Sequence, residues 1–304
     1  MIKYVMTAAA LRLFSATPQT RQGYRLLGNT LGQRKRISAG LDRKYVERVK
    51  RLLQWCEQYK AIHEGDQLLE IGTGWLHWES TIIRLFYDAE ITLLDVWDNR
   101  QLQAYKSHYA QLAKIVDKEF ELDAARRERV HYLLSAIARA NSFDDIYRLL
   151  GFRYVISPNG TLTKFQDQSF ALIFSSNVLE HVDAKILPTF IQEFHRLLKP
   201  GGYSMHQIDL GDHLSYYDSK VSLKNYLRYS NTVWRRYFEN DVQYFNRVQR
   251  SDWLALYDTA GLELVAEEPI YADIGSISID RQFTNMDQQD LRCWTLRVVH
   301  SKPF

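Results

Sequence analysis

Residues 68–75, Leu-Leu-Glu-Ile-Gly-Thr-Gly-Trp, constrain the fold more than any other stretch of the chain. A short apolar run that ends in an acid and a Gly-x-Gly turn is the pattern of a parallel strand feeding a tight loop and then a helix. Glycine permits positive φ and close backbone approach to a ligand, and the N–H groups opening the next helix favour anionic or hydrogen-bond-accepting ligands. Gly-x-Gly alone is also an ordinary turn, and only its companions further along the chain give it meaning. The next apolar run, Ile91-Thr92-Leu93-Leu94-Asp95-Val96, again reads as a buried strand ending in a carboxylate. Asp95 lies about twenty residues beyond the glycines, where a βαβ unit places an acid to accept hydrogen bonds from ribose hydroxyls. That pairing suits a dinucleotide or S-adenosylmethionine (SAM).

Two later segments separate these ligands. Phe170-Ala171-Leu172-Ile173-Phe174-Ser175-Ser176-Asn177-Val178-Leu179-Glu180-His181-Val182, followed by Leu197-Leu198-Lys199-Pro200-Gly201-Gly202-Tyr203, resembles the class I SAM-dependent methyltransferases when taken with Glu70 to Gly74 and Asp95. The resemblance covers roughly residues 60 to 300. It implies an α/β fold with a Rossmann-like seven-stranded sheet whose last strand is antiparallel. It also implies SAM as cofactor, S-adenosylhomocysteine as product, and cofactor contacts from Glu70, Gly72, Thr73, Gly74, Asp95, Val96, Trp97 and Asn177. The chain departs from the family in two places. The common third glycine is replaced by Trp75-Leu76-His77-Trp78, and the Asp often found after the third strand is replaced by Pro158-Asn159. Trp97 could stack near the adenine or simply pack under its loop.

A chain of 304 residues with 46% hydrophobic residues can bury one large or two modest cores. A net charge of +3 makes it no obvious nucleic-acid binder. Cys56 and Cys293 stand far apart, forming neither a metal-type pair nor a disulfide framework, so a reducing cytoplasm is expected. The opening residues are broken by Lys3 and Arg12 and lack a clear cleavage site, and no run approaches the eighteen or so apolar residues of a membrane span.

The expected organisation is a helical, basic segment over residues 1–62 and a SAM-binding methyltransferase domain over 63–304. Between Arg21 and Arg51 ten cations face two acids, a local excess of eight. A solvated helix face explains this, and so does capture of an anionic acceptor. Residues 101–150 contain no glycine and no proline, which predicts a helical insertion of two or three helices. That insertion could cover the active site or carry a homodimer interface. Residues 211–250 are rich in aromatics and predict a second cap, either stacking on a substrate or serving as a plain hydrophobic lid.

Methyl transfer from a sulfonium is an in-line displacement for which the protein must align the acceptor and, for a hydroxyl, remove a proton. Histidines and carboxylates at strand ends are therefore the catalytic candidates: His181, His206, Asp209 and His213, with His77 a weaker one. His206, Asp209, Asp212 and His213 include metal-ligand types, but such residues also occur together in ordinary polar loops, and no metal is expected. The expected activity is methyl transfer to a small or medium-sized acceptor, an oxygen of a sugar or secondary metabolite. RNA or protein methylation, a non-catalytic SAM-binding scaffold and aminopropyl transfer are the rivals. The missing acidic amine pocket around Asn177 counts against the last.

Overall fold

The computed structural model describes residues 1–275 and 277–304. Three helices come first: α1 (Ile2–Ser15), α2 (Pro18–Ala39) and α3 (Arg43–Gln58). The sheet strands are β1 (Asp66–Ile71), β2 (Ala89–Asp95), β3 (Phe152–Ile156), β4 (Phe170–Ser176), β5 (Leu198–Asp209), β6 (Glu263–Tyr271) and β7 (Cys293–Ser301). They form one seven-stranded sheet in the order β3-β2-β1-β4-β5-β7-β6. β1 pairs in parallel with β2 and β4, β2 pairs in parallel with β3, and β6 with β7 is antiparallel. The α/β architecture inferred from the sequence is present, including the antiparallel last strand.

The chain divides into two compact units. One comprises residues 28–175, 196–205 and 302–304; the other comprises 1–27, 176–195 and 206–301. In the first, β1 and β2 read as continuous apolar runs because both faces of a central parallel strand are buried. Leu68, Leu69 and Leu93 are solvent-free there, as are Ile82, Ile83 and Leu85 of α4 (Trp78–Phe86). The same unit contains the predicted insertion as three helices, α5 (Leu102–Glu119), α6 (Ala124–Arg139) and α7 (Phe143–Leu150). Their starts follow capping chemistry: Asp123 accepts from Arg126 N, and Ser142 with Asp145 forms a reciprocal capping box. Gly151, left-handed at φ 65°, ends α7 and releases the chain into β3.

In the other unit lie α8 (Leu187–Leu197), α9 (Asn231–Tyr237), α10 (Arg250–Thr259) and α11 (Gln288–Arg292), α8 continuing to residue 197. The aromatic stretch is split. Tyr226, Trp234, Phe238 and Phe245 are buried with Tyr4, Ala8 and Leu11 of α1, while Tyr216, Tyr217 and Tyr237 are exposed.

Two local details depart from what the sequence suggests, which is Lys199-Pro200-Gly201-Gly202 as a turn before the fifth strand and Ser251 as the cap of the helix that it opens. The Lys199-Pro200-Gly201-Gly202 segment opens β5 instead of preceding it: Gly201 N donates to Lys302 O and Lys302 N donates to Gly202 O. A Cβ on Gly202 would lie 2.9 Å from Lys199 O and 3.0 Å from Ala171 O, so only glycine allows that approach. Ser251 does not cap α10. Gln249 and Asp252 form the capping box, and the Ser251 hydroxyl donates to Asp290 instead.

Candidate functional site

The glycine loop leaves β1 through Gly72 and Gly74, both left-handed, at φ 69° and 63°. A Cβ on Gly74 would meet no atom within 4 Å, so the loop borders open space. Glu70 is buried, and its carboxylate accepts from the Thr73 hydroxyl at 2.7 Å and the Ser80 hydroxyl at 2.5 Å. Burial, then the neighbouring Glu79, raises the Glu70 pKa. Thr73 also contacts His77 Nδ1 at 3.0 Å, and His77 Nε2 meets the Tyr147 hydroxyl at 2.9 Å. Both nitrogens of His77 are thus engaged, and burial lowers its pKa to about 3. His77 shapes the loop as a neutral ring.

Asp95 ends β2 beside this loop. One carboxylate oxygen accepts from Gly74 N at 3.1 Å, the other from Val96 N at 2.7 Å. Burial raises its pKa against the lowering effect of these N–H groups. Asn99 Nδ2 reaches the same carboxylate at 3.5 Å, while the buried Asn99 Oδ1 has no hydrogen-bond partner. Val96 is exposed and Trp97 half-buried. Gly160, in the loop after β3, brings its backbone against Val96, since a Cβ there would lie 3.8 Å from Val96 Cγ1. A polar cleft of about 590 Å³ opens alongside, lined by Asp98, Arg100, Leu102, Ser142, Phe143 and Asp144.

Sequence reasoning missed one neighbour of the loop. Arg36 of α2 lies over the Trp75 ring at 4.9 Å, with Trp75 held edge-on by His108 at 4.9 Å. Arg36 Nη1 is buried without a hydrogen-bond partner. The signal was there, since Trp75 replaces the usual third glycine and Arg36 sits in the basic run. Only tertiary structure joins them. Much of that run is otherwise committed: Arg48 pairs with Glu79, Lys50 with Glu119 and Arg21 with Asp241, and Arg51 covers Trp55. Arg34 and Lys35 are exposed.

Asn177 follows β4 in the second unit and is left-handed at φ 56°, an uncommon conformation for a residue with a Cβ. Its N–H donates to Gln207 O and its Oδ1 accepts from Gln207 Nε2, while Arg297 Nε donates to Gln207 Oε1 at 2.8 Å. Strain of this kind clusters at functional positions.

The four catalytic candidates do not form one group. Side chains alternate across a strand, so His206 and Asp209 leave β5 on opposite faces. His206 stacks on Phe194 at 5.1 Å and 12° and faces Tyr257; burial drives its pKa to about 3. Asp212 accepts from the Tyr4 hydroxyl at 2.7 Å and from Leu214 N, which pins α1 and the turn at 213–217.

The remaining three come together. His213 Nε2 is 3.6 Å from Asp209, its ring lies between Tyr216 and Phe245, and the His181 ring is 5.1 Å away. Asp209 is held by the Tyr216 hydroxyl at 2.6 Å and Gly211 N at 2.8 Å. Burial alone would raise the Asp209 pKa, but His213 and these donors hold it below the ordinary value. His181 Nδ1 lies 2.6 Å from Tyr244 O. A carbonyl can only accept, so Nδ1 carries the proton and Nε2 keeps its lone pair. Desolvation, then His213, lowers the His181 pKa, so the ring is neutral near pH 7.

Open space at Gly74, a buried ribose-type acid, and unpartnered polar atoms on Arg36 and Asn99 together fit a nucleoside with a charged amino-acid tail. A family model described as a methyltransferase domain matches residues 37–267. No curated protein matches the sequence. Several solved structures are similar to the chain at low identity. One is a putative sarcosine dimethylglycine methyltransferase from Galdieria sulphuraria (11% identity, 84% of this chain and 86% of that one, TM-score 0.49). Another is phosphoethanolamine N-methyltransferase 2 of Haemonchus contortus in complex with SAM (12% identity, 84% and 53%, TM-score 0.47). A third belongs to the complex between the Haloferax volcanii Trm112 methyltransferase activator and a putative methyltransferase (14% identity, 85% and 95%, TM-score 0.43). Because the family match runs from the end of α2 into β6 and takes in the glycine loop, Asp95, β4 and β5, the chain belongs to the methyltransferase-domain family: it is a class I enzyme whose methyl donor is SAM.

Proposed function

We propose that this enzyme methylates a hydroxyl of a small or medium-sized acceptor, such as a sugar or a secondary metabolite. The observation that carries this reading is the His181–His213–Asp209 group. A neutral amine attacks a methyl sulfonium through its own lone pair, whereas a hydroxyl must give up its proton, so a prepared base points to oxygen. His181 offers a free Nε2 lone pair, with its tautomer fixed by Tyr244. Asp209, held ionised beside this pair, lends negative charge that favours the imidazolium formed when His181 takes up the proton.

SAM supplies a methyl group already activated on sulfur. The chain's own residues hold and orient it in this reading. Gly72, Thr73 and Gly74 give close backbone approach, and Glu70 fixes the loop from beneath. Asp95 accepts the ribose hydroxyls, Val96 and Trp97 flank the base, and Arg36 meets the carboxylate. His206 is assigned to packing. RNA draws less support, because much of the basic segment is tied into ion pairs and ring contacts.

Two measurements test the assignment. Calorimetric titration with S-adenosylhomocysteine should give micromolar affinity, weakened at least tenfold by Asp95→Ala, about 1.4 kcal/mol. Methyl transfer to a panel of sugar and phenol hydroxyls should fall about a hundredfold or more in His181→Asn. Transfer confined to amines, or untouched by His181→Asn, would remove the oxygen reading.

A further inference from the structure

We propose that Glu180, His181 and His213 form a binding site for a divalent transition-metal ion of the zinc or cobalt class. The inference rests on the hydroxyl-methylation reading in one respect, since it gives the same histidine pair a second way to activate a hydroxyl.

One donor atom from each of the three residues lies within 4.8 Å of the other two. Two imidazoles and a carboxylate form a known three-ligand set for catalytic zinc, which leaves a fourth position for water or substrate. Metal–ligand bonds of about 2.1 Å place tetrahedral donors about 3.4 Å apart, so small rotamer changes close the group around an ion. The surroundings are those of a prepared site. His181 gives its Nδ1 proton to the Tyr244 carbonyl at 2.6 Å, which orients the ring and leaves Nε2 as the ligand atom, as metal-bound histidines usually require. The buried Nε2 of His213 has no hydrogen-bond partner, and its ring is fixed between Tyr216 and Phe245. Asp209, 3.6 Å from that nitrogen, adds negative charge beside the site.

Access and chemistry agree with this. Glu180 and His213 are buried while His181 reaches solvent, which provides an entry path. The set mixes nitrogen with one carboxylate and contains no thiolate, favouring zinc, cobalt, nickel or manganese over copper(I) and, for its nitrogen content, over calcium. An ion there would polarise an acceptor hydroxyl as a Lewis acid. The sequence alone could not show this, because residues 180 and 181 are separated from 213 by the whole of α8 and β5.

The test uses untagged, full-length protein, stripped with chelator, dialysed, and titrated with Co²⁺ while visible d–d absorption is recorded. The expected result is one equivalent bound, with affinity reduced at least tenfold in both His213→Gln and Glu180→Gln. His181→Asn, at the solvent edge, serves as a third variant if either buried substitution lowers the melting temperature. No d–d band in the wild-type protein, or an unchanged titration in folded variants, overturns the site. The two readings fail separately. Hydroxyl methylation by chelated protein with no Co²⁺ band removes the metal and leaves the base. Stoichiometric Co²⁺ binding by a protein that methylates only amines leaves the metal and removes the oxygen reading.

Discussion

Arg36 is the residue whose environment is least explained without a ligand. Its guanidinium is half-buried over Trp75, burial lowers its pKa, and Nη1 has no partner. A guanidinium left this way costs stability unless an anion completes it. Arg36→Met should therefore reduce S-adenosylhomocysteine affinity about tenfold, or about 1.4 kcal/mol, while leaving the melting temperature of the free protein unchanged or higher; calorimetry and a thermal melt read both. Arg36→Lys should not restore affinity, because a point charge does not reproduce the planar stack on Trp75. A large fall in melting temperature with normal affinity would assign Arg36 to structure alone. At this scale the sequence was partly legible. Glu70, Gly72, Gly74 and Asp95 announce themselves by order and spacing, and the structure places them around one loop. The alternation of β5 already implied that His206 and Asp209 could not act together, since positions three apart on a strand face opposite ways. Glu180 could not be read, because its partnership with His213 exists only in three dimensions.

Elements follow from local chemistry wherever the chain carries its own stop and start signals. α7 is the clearest case, with the Ser142–Asp145 capping box at one end and left-handed Gly151 at the other. Ser142→Ala should destabilise the protein by about 1 kcal/mol, read as a lower denaturant midpoint with an unchanged slope. An effect on cofactor affinity larger than on stability would mean that the cleft bordered by Ser142 and Phe143 takes part in binding. The apolar runs at 68–71 and 91–96 located β1 and β2 within about two residues of their ends, because a buried parallel strand has little else to be made of. β5 began earlier than expected for a non-local reason. Its first residues are held by Lys302, which lies about a hundred positions away in sequence. β6 runs on to Tyr271 because β7 continues to pair with it as far as Cys293.

The whole molecule carries a pH signature. His77, His206 and His300 each fall to about 3 from an ordinary 6.5, because burial penalises the cation. Between pH 6.5 and 4.5 the unfolded chain accepts three protons on these rings that the folded chain refuses. Two buried carboxyls act oppositely: burial raises Glu70 to about 8 and Asp212 to about 7, so in the same window the folded chain keeps two protons that the unfolded chain has released. Across these five groups the balance is one proton in favour of the unfolded state; the lowered His108 and His181 add to it and the raised Asp95 subtracts, so stability falls on acidification. Above pH 6.5 the rings no longer contribute. There the two carboxyls release their protons in the folded chain, which lowers stability, while Lys224, brought down to about 7 by burial, raises it by giving up a proton that the unfolded chain keeps. The two effects oppose, so the profile is shallow near neutrality. Thermal melts from pH 6.5 to pH 4.5 should show a steadily falling midpoint, and a midpoint rising towards pH 5 would contradict the assignment of these groups.

α2 gives the molecule a further property, this time a kinetic one. It is a 22-residue helix with no buried residue, exposing Leu26, Leu27, Leu31 and Ile37. Its end is tied where Leu41 N meets Gln111 Oε1 at 2.8 Å and Arg36 rests on Trp75. A helix without a fully buried side chain, held at its start by Tyr24 against the aromatic cluster and Arg21 on Asp241, detaches at a smaller free-energy cost than a buried strand. Arg36 travels with it, so if Arg36 holds the cofactor tail as proposed, lifting the helix uncovers that tail. The turnover ceiling would then be set by how quickly a surface helix lifts and resettles, and the rigid sheet would be spared any need to breathe.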